Sequence, residues 1–146
     1  MKTIRLAIVV AEFNQEITYK MLDKAKDHAK NFNMDVKIIS YVPGTFDMPL
    51  IVENLLRNKQ IDAIVTLGAV IKGETGHDLI VANNTARLLA DLSLKYQKPV
   101  ALGITGPGMT VKQAKRRIVT VSERAVEAAH KMVTRLRQLN DEKGFE

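Results

Sequence analysis

Four segments of the chain are continuously apolar and rich in β-branched residues, and they span residues 6–10, 35–42, 61–70 and 99–105. Runs of this kind are typical of strands that are buried on both faces of a sheet. Between them the apolar residues recur at helical spacing. Because strands and helices alternate along the whole chain, the pattern predicts a single α/β domain over residues 1–146, with a four-stranded, mainly parallel sheet covered on both faces.

The helical segments carry start signals as well as apolar stripes. In residues 47–58, Asp47 can act as the N-cap, and Pro49 falls in the first turn, where proline is tolerated. Thr110 and Gln113 match a capping box that opens a short helix. The predicted buried stripes are Ile17, Met21, Ala25 and Ala29 in the first helix, Ala82, Ala86 and Leu89 in residues 77–96, and Val121, Ala125, Ala128, Met132 and Leu136 in the last helix.

Composition narrows the class of protein. The 146 residues are 46% hydrophobic and 26% charged, which fits one soluble globular domain. The sequence contains no run of 18 or more apolar residues, so it predicts no membrane-spanning helix. The apolar start of the chain resembles a core strand more than a signal peptide. There is no cysteine, so disulfides and thiolate metal sites are excluded, and no metal-ligand spacing appears. We therefore expect a cytoplasmic protein with no membrane partner.

The net charge of +6 favours anionic ligands only weakly. Aromatic residues make up 5% of the chain and no basic block stands out, which argues against nucleic-acid binding. The basic residues near the end of the chain, such as Arg135 and Arg137, are best explained as a solvated face. Charge alone therefore identifies no partner.

Polar and flexible residues concentrate where each predicted strand ends. Residues 11–16, 42–49, 68–78 and 103–109 are rich in Gly, Pro, Asn, Thr and His. In open parallel sheets, ligands bind beyond the carboxyl ends of the strands. Each segment also has a structural explanation, since glycine and proline form turns, Asn14 can cap the first helix, Phe13 and Phe46 can belong to the core, and His77 can lie on the surface. The coincidence of all four at one edge favours a site.

The segment GETGHD, residues 73–78, has the chemistry of an anion site with an acid–base group. Gly73 allows close backbone approach, Thr75 offers a hydroxyl, and free N–H groups at a helix start attract phosphate. The negative charge of Glu74 opposes phosphate binding, so its carboxylate must point away from the phosphate. The imidazole of His77 can transfer protons.

Cations and aromatic rings complete this hypothesis. Arg116, Arg117 and Arg124 can supply a fixed positive charge for phosphate. Phe13 and Phe46 can flank a flat heterocycle. The residues together predict a phosphorylated substrate, a planar partner and one acid–base residue.

Four motifs occur in order over roughly residues 4–136: AEFNQEIT, VPGTFDMPL, GAVIKGETGHD and GITGPGMTVKQAKRR. Together they resemble the 6,7-dimethyl-8-ribityllumazine synthases of riboflavin biosynthesis, in their short archaeal-type form. The resemblance implies a flavodoxin-like three-layer α/β/α sandwich. It also implies condensation of 5-amino-6-(D-ribitylamino)uracil with L-3,4-dihydroxy-2-butanone 4-phosphate, releasing phosphate and water, without a metal or organic cofactor.

The resemblance also implies roles for individual residues. His77 matches the catalytic histidine. The pyrimidine and ribityl chain are assigned to Phe13, Asn14, Thr45, Phe46, Asp47, Ala69, Val70, Ile71 and Leu102. Phosphate is assigned to Gly73, Glu74, Thr75, Arg116 and Arg124. Two departures are that Leu102 stands where many members have phenylalanine, and that Asp47 replaces the commoner glutamate.

The resemblance further implies a homo-oligomer with sites between subunits. We expect a homopentamer, and assembly into a shell of sixty subunits stays open. Three alternatives remain: the archaeal-type riboflavin synthase paralogue, a non-catalytic flavin or lumazine binder, and a protein whose function is the shell itself. The GETGHD segment argues against the first, and His77 with Arg116 argues against the second.

Overall fold

A computed structural model describes residues 2–143 of the chain. The elements in chain order are β1 Arg5–Ala11, α1 Gln15–Asn31, β2 Asp35–Val42, α2 Met48–Leu56, β3 Ala63–Ile71, α3 His77–Tyr96, β4 Val100–Met109, α4 Val111–Arg116 and α5 Ile118–Lys143. A 3₁₀ turn at Thr45–Asp47 precedes α2. The alternation of strands and helices that the sequence predicts is confirmed.

Within residues 2–143 the sheet has four strands in the order β2-β1-β3-β4, and every neighbouring pair is parallel. One core cluster packs Leu6, Ile8 and Val10 of β1 against α1 and α5. A second packs Ala7 and Val9, from the opposite face of β1, against α2 and the third helix. The three-layer α/β/α sandwich is therefore confirmed, and its doubly covered strands explain the continuous apolar runs.

The core of the sheet is fully removed from solvent. Leu6, Ile8, Ile64 and Leu67 have no exposed surface, and the stripe of α1 that the sequence predicts is buried throughout. Each such side chain contributes roughly 1.5–3 kcal/mol when it leaves water. No helix among residues 2–143 is long and apolar enough to cross a membrane.

Strand β4 is longer than the predicted strand, which ends at residue 105. It continues to Met109 because β3 and β4 shift register after Ala69 and Ile71 then pairs with Met109. Gly106 makes this possible, since its φ of +102° suits glycine and a Cβ there would collide with the carbonyl oxygen of Val70. The segment 103–109 is therefore largely strand rather than a free loop.

Two predicted caps differ from the structure. Asp47 holds the N-cap position of α2, but across the described residues its carboxylate makes no capping hydrogen bond and instead accepts from the Gly44 N–H at 3.0 Å. Asn14 stands at the start of α1 with φ +62°, and its side chain bonds to β3 rather than to the helix. The capping box of Thr110 and Gln113 is confirmed.

The buried face of α5 differs from the predicted stripe. Ala125 is buried as expected, but Ala128 and Met132 are exposed and Val121 and Leu136 are only partly buried. The residues that face the sheet are Ile118, Ser122, Ala125, Val126, Ala129 and Val133. The predicted stripe was therefore rotated by about one residue. Buried Ser122 explains the error, because its hydroxyl bonds to the Ile118 carbonyl at 2.6 Å and needs no solvent.

Candidate active site

A cavity of about 350 Å³ opens beyond the carboxyl ends of β1 and β3. Its walls come from the turns after β1, β2 and β3 and from the first turns of α3. The lining residues are Phe13, Asn14, Gly44, Thr45, Phe46, Asp47, Ala69, Val70, Ile71, Gly73, His77, Asp78 and Val81. The edge of the sheet at which the sequence predicts a site therefore carries this cavity.

Two aromatic rings stand at the mouth of the cavity. Phe13 is 66% exposed and Phe46 is 58% exposed, so neither belongs to the core. The ring of Phe13 rests against Gly44, where a Cβ would come within 2.8 Å of Cδ2. The Phe13 N–H also donates to the Pro43 carbonyl at 2.9 Å, which joins the turn after β1 to the turn after β2. Exposed rings in fixed turns can bind a flat apolar surface.

The turn after β1 is also tied to β3. The side-chain amide of Asn14 donates to the carbonyl oxygen of Ala69 at 2.9 Å. Ala69 and Val70 are buried at the end of β3 and form the floor of the cavity. Asn14 therefore fixes the distance between Phe13 and this floor.

The turn after β2 is held from two sides. Asp47 Oδ2 accepts from the Gly44 N–H at 3.0 Å, and Asp47 N–H donates to the Gly44 carbonyl at 3.0 Å. The hydroxyl of Thr85 on α3 donates to the carbonyl of buried Thr45 at 3.4 Å. A carboxylate and backbone groups thus line the cavity on a turn that α3 supports.

His77 is the first residue of α3, and its imidazole is exposed at the cavity. Gly76 precedes it in the left-handed conformation, with φ +70°. In the part of the chain that the structure describes, no side chain caps the start of this 20-residue helix. The Leu79 N–H donates to the Gly76 carbonyl at 3.1 Å, so the N–H groups before it are the ones that an anion can meet, next to a group that can transfer protons.

Asp78 follows His77 and was not among the residues that the sequence singled out for the site. It is 6% exposed, lines the cavity, and accepts from the Gly108 N–H at 2.9 Å through Oδ2. An acidic residue in a first turn ordinarily indicates only a favourable interaction with the helix dipole. Gly44 and Val81 were likewise missed, and their positions depend on tertiary packing that the sequence does not reveal.

Other predicted site residues lie outside the cavity lining of this single chain. Glu74 and Thr75 are exposed on the turn before α3. Leu102, on the edge strand β4, is 52% exposed. Arg116 lines a separate cleft with Gln113, Arg117 and Thr120, and Arg124 is exposed on α5. The candidate ring-binding residues apart from Leu102 are thus brought together with His77, whereas both candidate arginines are not.

The sequence profile of the family described as 6,7-dimethyl-8-ribityllumazine synthase matches residues 3–139. A protein of that name from Saccharolobus islandicus is 59% identical over 140 residues, which cover 96% of this chain and 91% of the relative. Another from Metallosphaera sedula is 57% identical over 137 residues, covering 94% and 91%. A third from Methanothermobacter thermautotrophicus is 54% identical over 138 residues, covering 94% and 99%. The chain belongs to the 6,7-dimethyl-8-ribityllumazine synthase family.

Proposed function

We propose that the chain is an enzyme that makes 6,7-dimethyl-8-ribityllumazine from 5-amino-6-(D-ribitylamino)uracil and L-3,4-dihydroxy-2-butanone 4-phosphate. The observation that carries the proposal is the cavity itself. In a chain of this family, it brings two exposed phenylalanines, a carboxylate and a histidine to one edge of the sheet. Holding two reactants together in such a cavity can contribute roughly 7–11 kcal/mol to catalysis.

The ribitylaminouracil is assigned to the part of the cavity between Phe13, Phe46 and the end of β3. The exposed rings offer flat surfaces for the pyrimidine, and the Ala69–Ile71 segment offers backbone groups to its edge. Asp47 and the Gly44–Thr45 turn support binding of the ribityl hydroxyls, because a carboxylate accepts hydrogen bonds and never donates them when ionised.

The butanone phosphate is assigned to the turn before α3. Gly73, Glu74 and Thr75 would surround the phosphate with backbone N–H groups, and the start of α3 adds its dipole. Glu74 is exposed, so its carboxylate can stay in solvent. Arg116 and Arg124 would supply the opposing charge.

The arginines support an assembly in which a neighbouring subunit completes the site. Neither lines the cavity of its own chain, although both are exposed. Apolar residues on β4, α4 and α5 are also exposed, among them Leu102, Val111, Val119 and Met132. Apolar surface of this kind marks protein interfaces. We propose a homopentamer with each site between adjacent subunits, a state that mass measurement in solution distinguishes from a larger shell.

His77 is assigned the proton transfers of the reaction. The amine of the uracil attacks the butanone carbonyl, and water leaves as the imine forms. Loss of phosphate and ring closure follow, with a second loss of water. The exposed imidazole can accept a proton from the attacking nitrogen and return it to a departing oxygen, which balances the protons without a further reagent.

The test follows lumazine absorbance and phosphate release together in the purified protein. Both products should form above the uncatalysed background in a constant ratio. His77→Ala should slow the reaction by about 10²–10⁴-fold, the usual effect of losing an acid–base group. His130→Gln is the matched control, because His130 packs against Phe32 on the opposite side of the molecule from α3.

The alternatives give different outcomes in the same assay. A folded, assembled protein that forms neither product would refute the proposal. Riboflavin formed from lumazine as the only substrate would instead identify the riboflavin synthase paralogue. Tight lumazine binding without turnover would identify a carrier.

A further inference from the structure

The loop between β3 and α3 is attached to β4 at both of its ends. At one end, the Lys72 N–H donates to the Met109 carbonyl at 2.7 Å. At the other, Asp78 Oδ2 accepts from the Gly108 N–H at 2.9 Å. Two consecutive residues of β4 therefore hold a loop that carries Gly73–Thr75 and His77.

The residues between these two attachments have little other support. Lys72, Glu74, Thr75 and His77 are all exposed. Of the residues that the structure describes, none apart from the adjacent residues of the chain has an atom within 4 Å of a Cβ built on Gly73 or Gly76. Because so little packs against the loop, its two attachments determine where it lies.

The side chain of Asp78 forms this attachment to β4 rather than a hydrogen bond within its own helix. Asp78 is the second residue of α3, yet its carboxylate reaches across 30 positions of sequence to β4. It is almost completely buried, and a buried carboxylate is tolerated only with hydrogen-bond partners. Gly108 has φ +76°, a conformation that favours glycine and that turns its N–H towards α3.

We infer that Asp78 is a positioning residue, whose hydrogen bond to Gly108 holds His77 and the Gly73–Thr75 turn in place for the reaction. This inference rests on the proposed function. The ring-binding end of the cavity has its own attachments, from Asn14 to Ala69 and from Phe13 to Pro43. Loss of the Asp78 bond should therefore affect one substrate and spare the other.

The test compares Asp78→Ala, Asp78→Asn and the control Asp91→Ala, an exposed aspartate on the same helix. Asp78→Ala should lower kcat by about 10²-fold, because a displacement of about 1 Å has that effect. It should raise KM for butanone phosphate and leave KM for ribitylaminouracil unchanged. Asp78→Asn should restore activity, because its amide oxygen still accepts from Gly108. Asp91→Ala should match the wild type.

Hydrogen exchange gives a readout that does not depend on turnover. In the wild-type protein, the Gly108 amide should exchange slowly in peptides that cover residues 103–110. Asp78→Ala should accelerate that exchange, and Asp78→Asn should slow it again. If the wild type makes no lumazine, the proposed function fails, while slow exchange at Gly108 would still establish the attachment.

Three results would overturn the inference. They are fast Gly108 exchange in the wild type, an Asp78→Asn variant as impaired as Asp78→Ala, and equal rises of KM for both substrates. If Asp78→Ala does not fold, the asparagine variant and the wild-type exchange rate still decide the matter.

Discussion

Two glycines near the cavity should respond differently to the same change to alanine. A Cβ on Gly44 would lie 2.8 and 2.9 Å from Cδ2 and Cε2 of Phe13. Carbon atoms normally approach to about 3.5–4.0 Å, so the ring must move by roughly 0.6–1.2 Å. The φ of Gly44 is −137°, which alanine adopts without strain.

Stability should change little in Gly44→Ala. Phe13 is mostly exposed, so its ring can turn aside without leaving a hole in the core. Alanine also restricts the unfolded chain, which stabilises the fold by about 0.4–1 kcal/mol at a compatible position. The displacement of the Phe13 ring and the restriction of the unfolded chain act on stability in opposite directions. The midpoint of thermal unfolding should therefore stay close to that of the wild type.

Binding of the ring should weaken in the same variant. Stacking of an aromatic side chain on a base contributes about 1–3 kcal/mol. Loss of about 1 kcal/mol of stacking energy, the lower end of that range, weakens binding about fivefold. We therefore expect Gly44→Ala to raise KM for ribitylaminouracil by about that factor, while KM for butanone phosphate stays the same.

Gly68→Ala should instead destabilise the fold. A Cβ there would lie 2.6 Å from Thr45 Oγ1 and 3.3 Å from Met48 Cε, and both of these residues are buried. Overpacking of this kind costs about 1–3 kcal/mol. For a domain of about 150 residues, each kcal/mol lowers the unfolding midpoint by about 2–4 °C.

The assay measures KM for each substrate together with thermal unfolding in both variants. Gly73→Ala is the control for stability, because a Cβ there comes within 4 Å of no described residue other than its neighbours in the chain. Equal losses of stability in Gly44→Ala and Gly68→Ala would refute the account of Phe13 as a movable ring. An unchanged KM for ribitylaminouracil in Gly44→Ala would refute its role in stacking.

Two further predictions concern charge. Burial raises the pKa of Asp62, but hydrogen bonds from the Arg5 side chain and backbone outweigh it and hold that pKa below 3.8, its ordinary value. The ionised Asp62–Arg5 pair therefore stabilises the folded protein above the unfolded pKa of Asp62, and this stabilisation is lost as the pH falls through the lower pKa of the folded state. In Asp62→Asn, the free energy of unfolding should therefore depend less on pH in acid. Arg116→Ala should raise KM for butanone phosphate and leave KM for ribitylaminouracil unchanged, with exposed Arg135→Ala as the control. A rise for both substrates in Arg116→Ala would contradict its assignment to phosphate.

The central strands β1 and β3 were predictable because each is buried on both faces. The predicted bounds of β1, β2 and β3 lie within two residues of those observed. The end of β4 was not predictable, because it depends on Gly106 packing against Val70 and on a register shift between two strands. In the sequence, the glycines and proline of residues 103–109 indicate a turn. Pairing with β3 is what makes this segment extended.

The lining of the cavity was predictable where its residues follow the end of a strand. Phe13 and Phe46 lie in turns at the carboxyl edge and His77 begins α3 there, so parallel topology alone brings them together. Asp78 could not be found in this way, since its importance lies in a bond to a residue 30 positions away. Arg116 has the right chemistry, but it lines a separate cleft and lies outside the cavity of its own chain.

Displaced pKa values often mark an active site, but here they mark the opposite end of the sheet. Arg5 begins β1, Asp62 precedes β3 and Lys98 precedes β4, so all three lie at the amino ends of the strands. Their shifts come from burial and from the Arg5–Asp62 ion pair, which joins two strands where they enter the sheet. The cavity lies at the other edge, where hydrogen bonds to backbone groups hold the turns. Acid should therefore weaken the fold at one end of the sheet, and changes to Asp78 or Gly44 should alter catalysis at the other. The two effects should be independent, because the two sets of contacts share no partner.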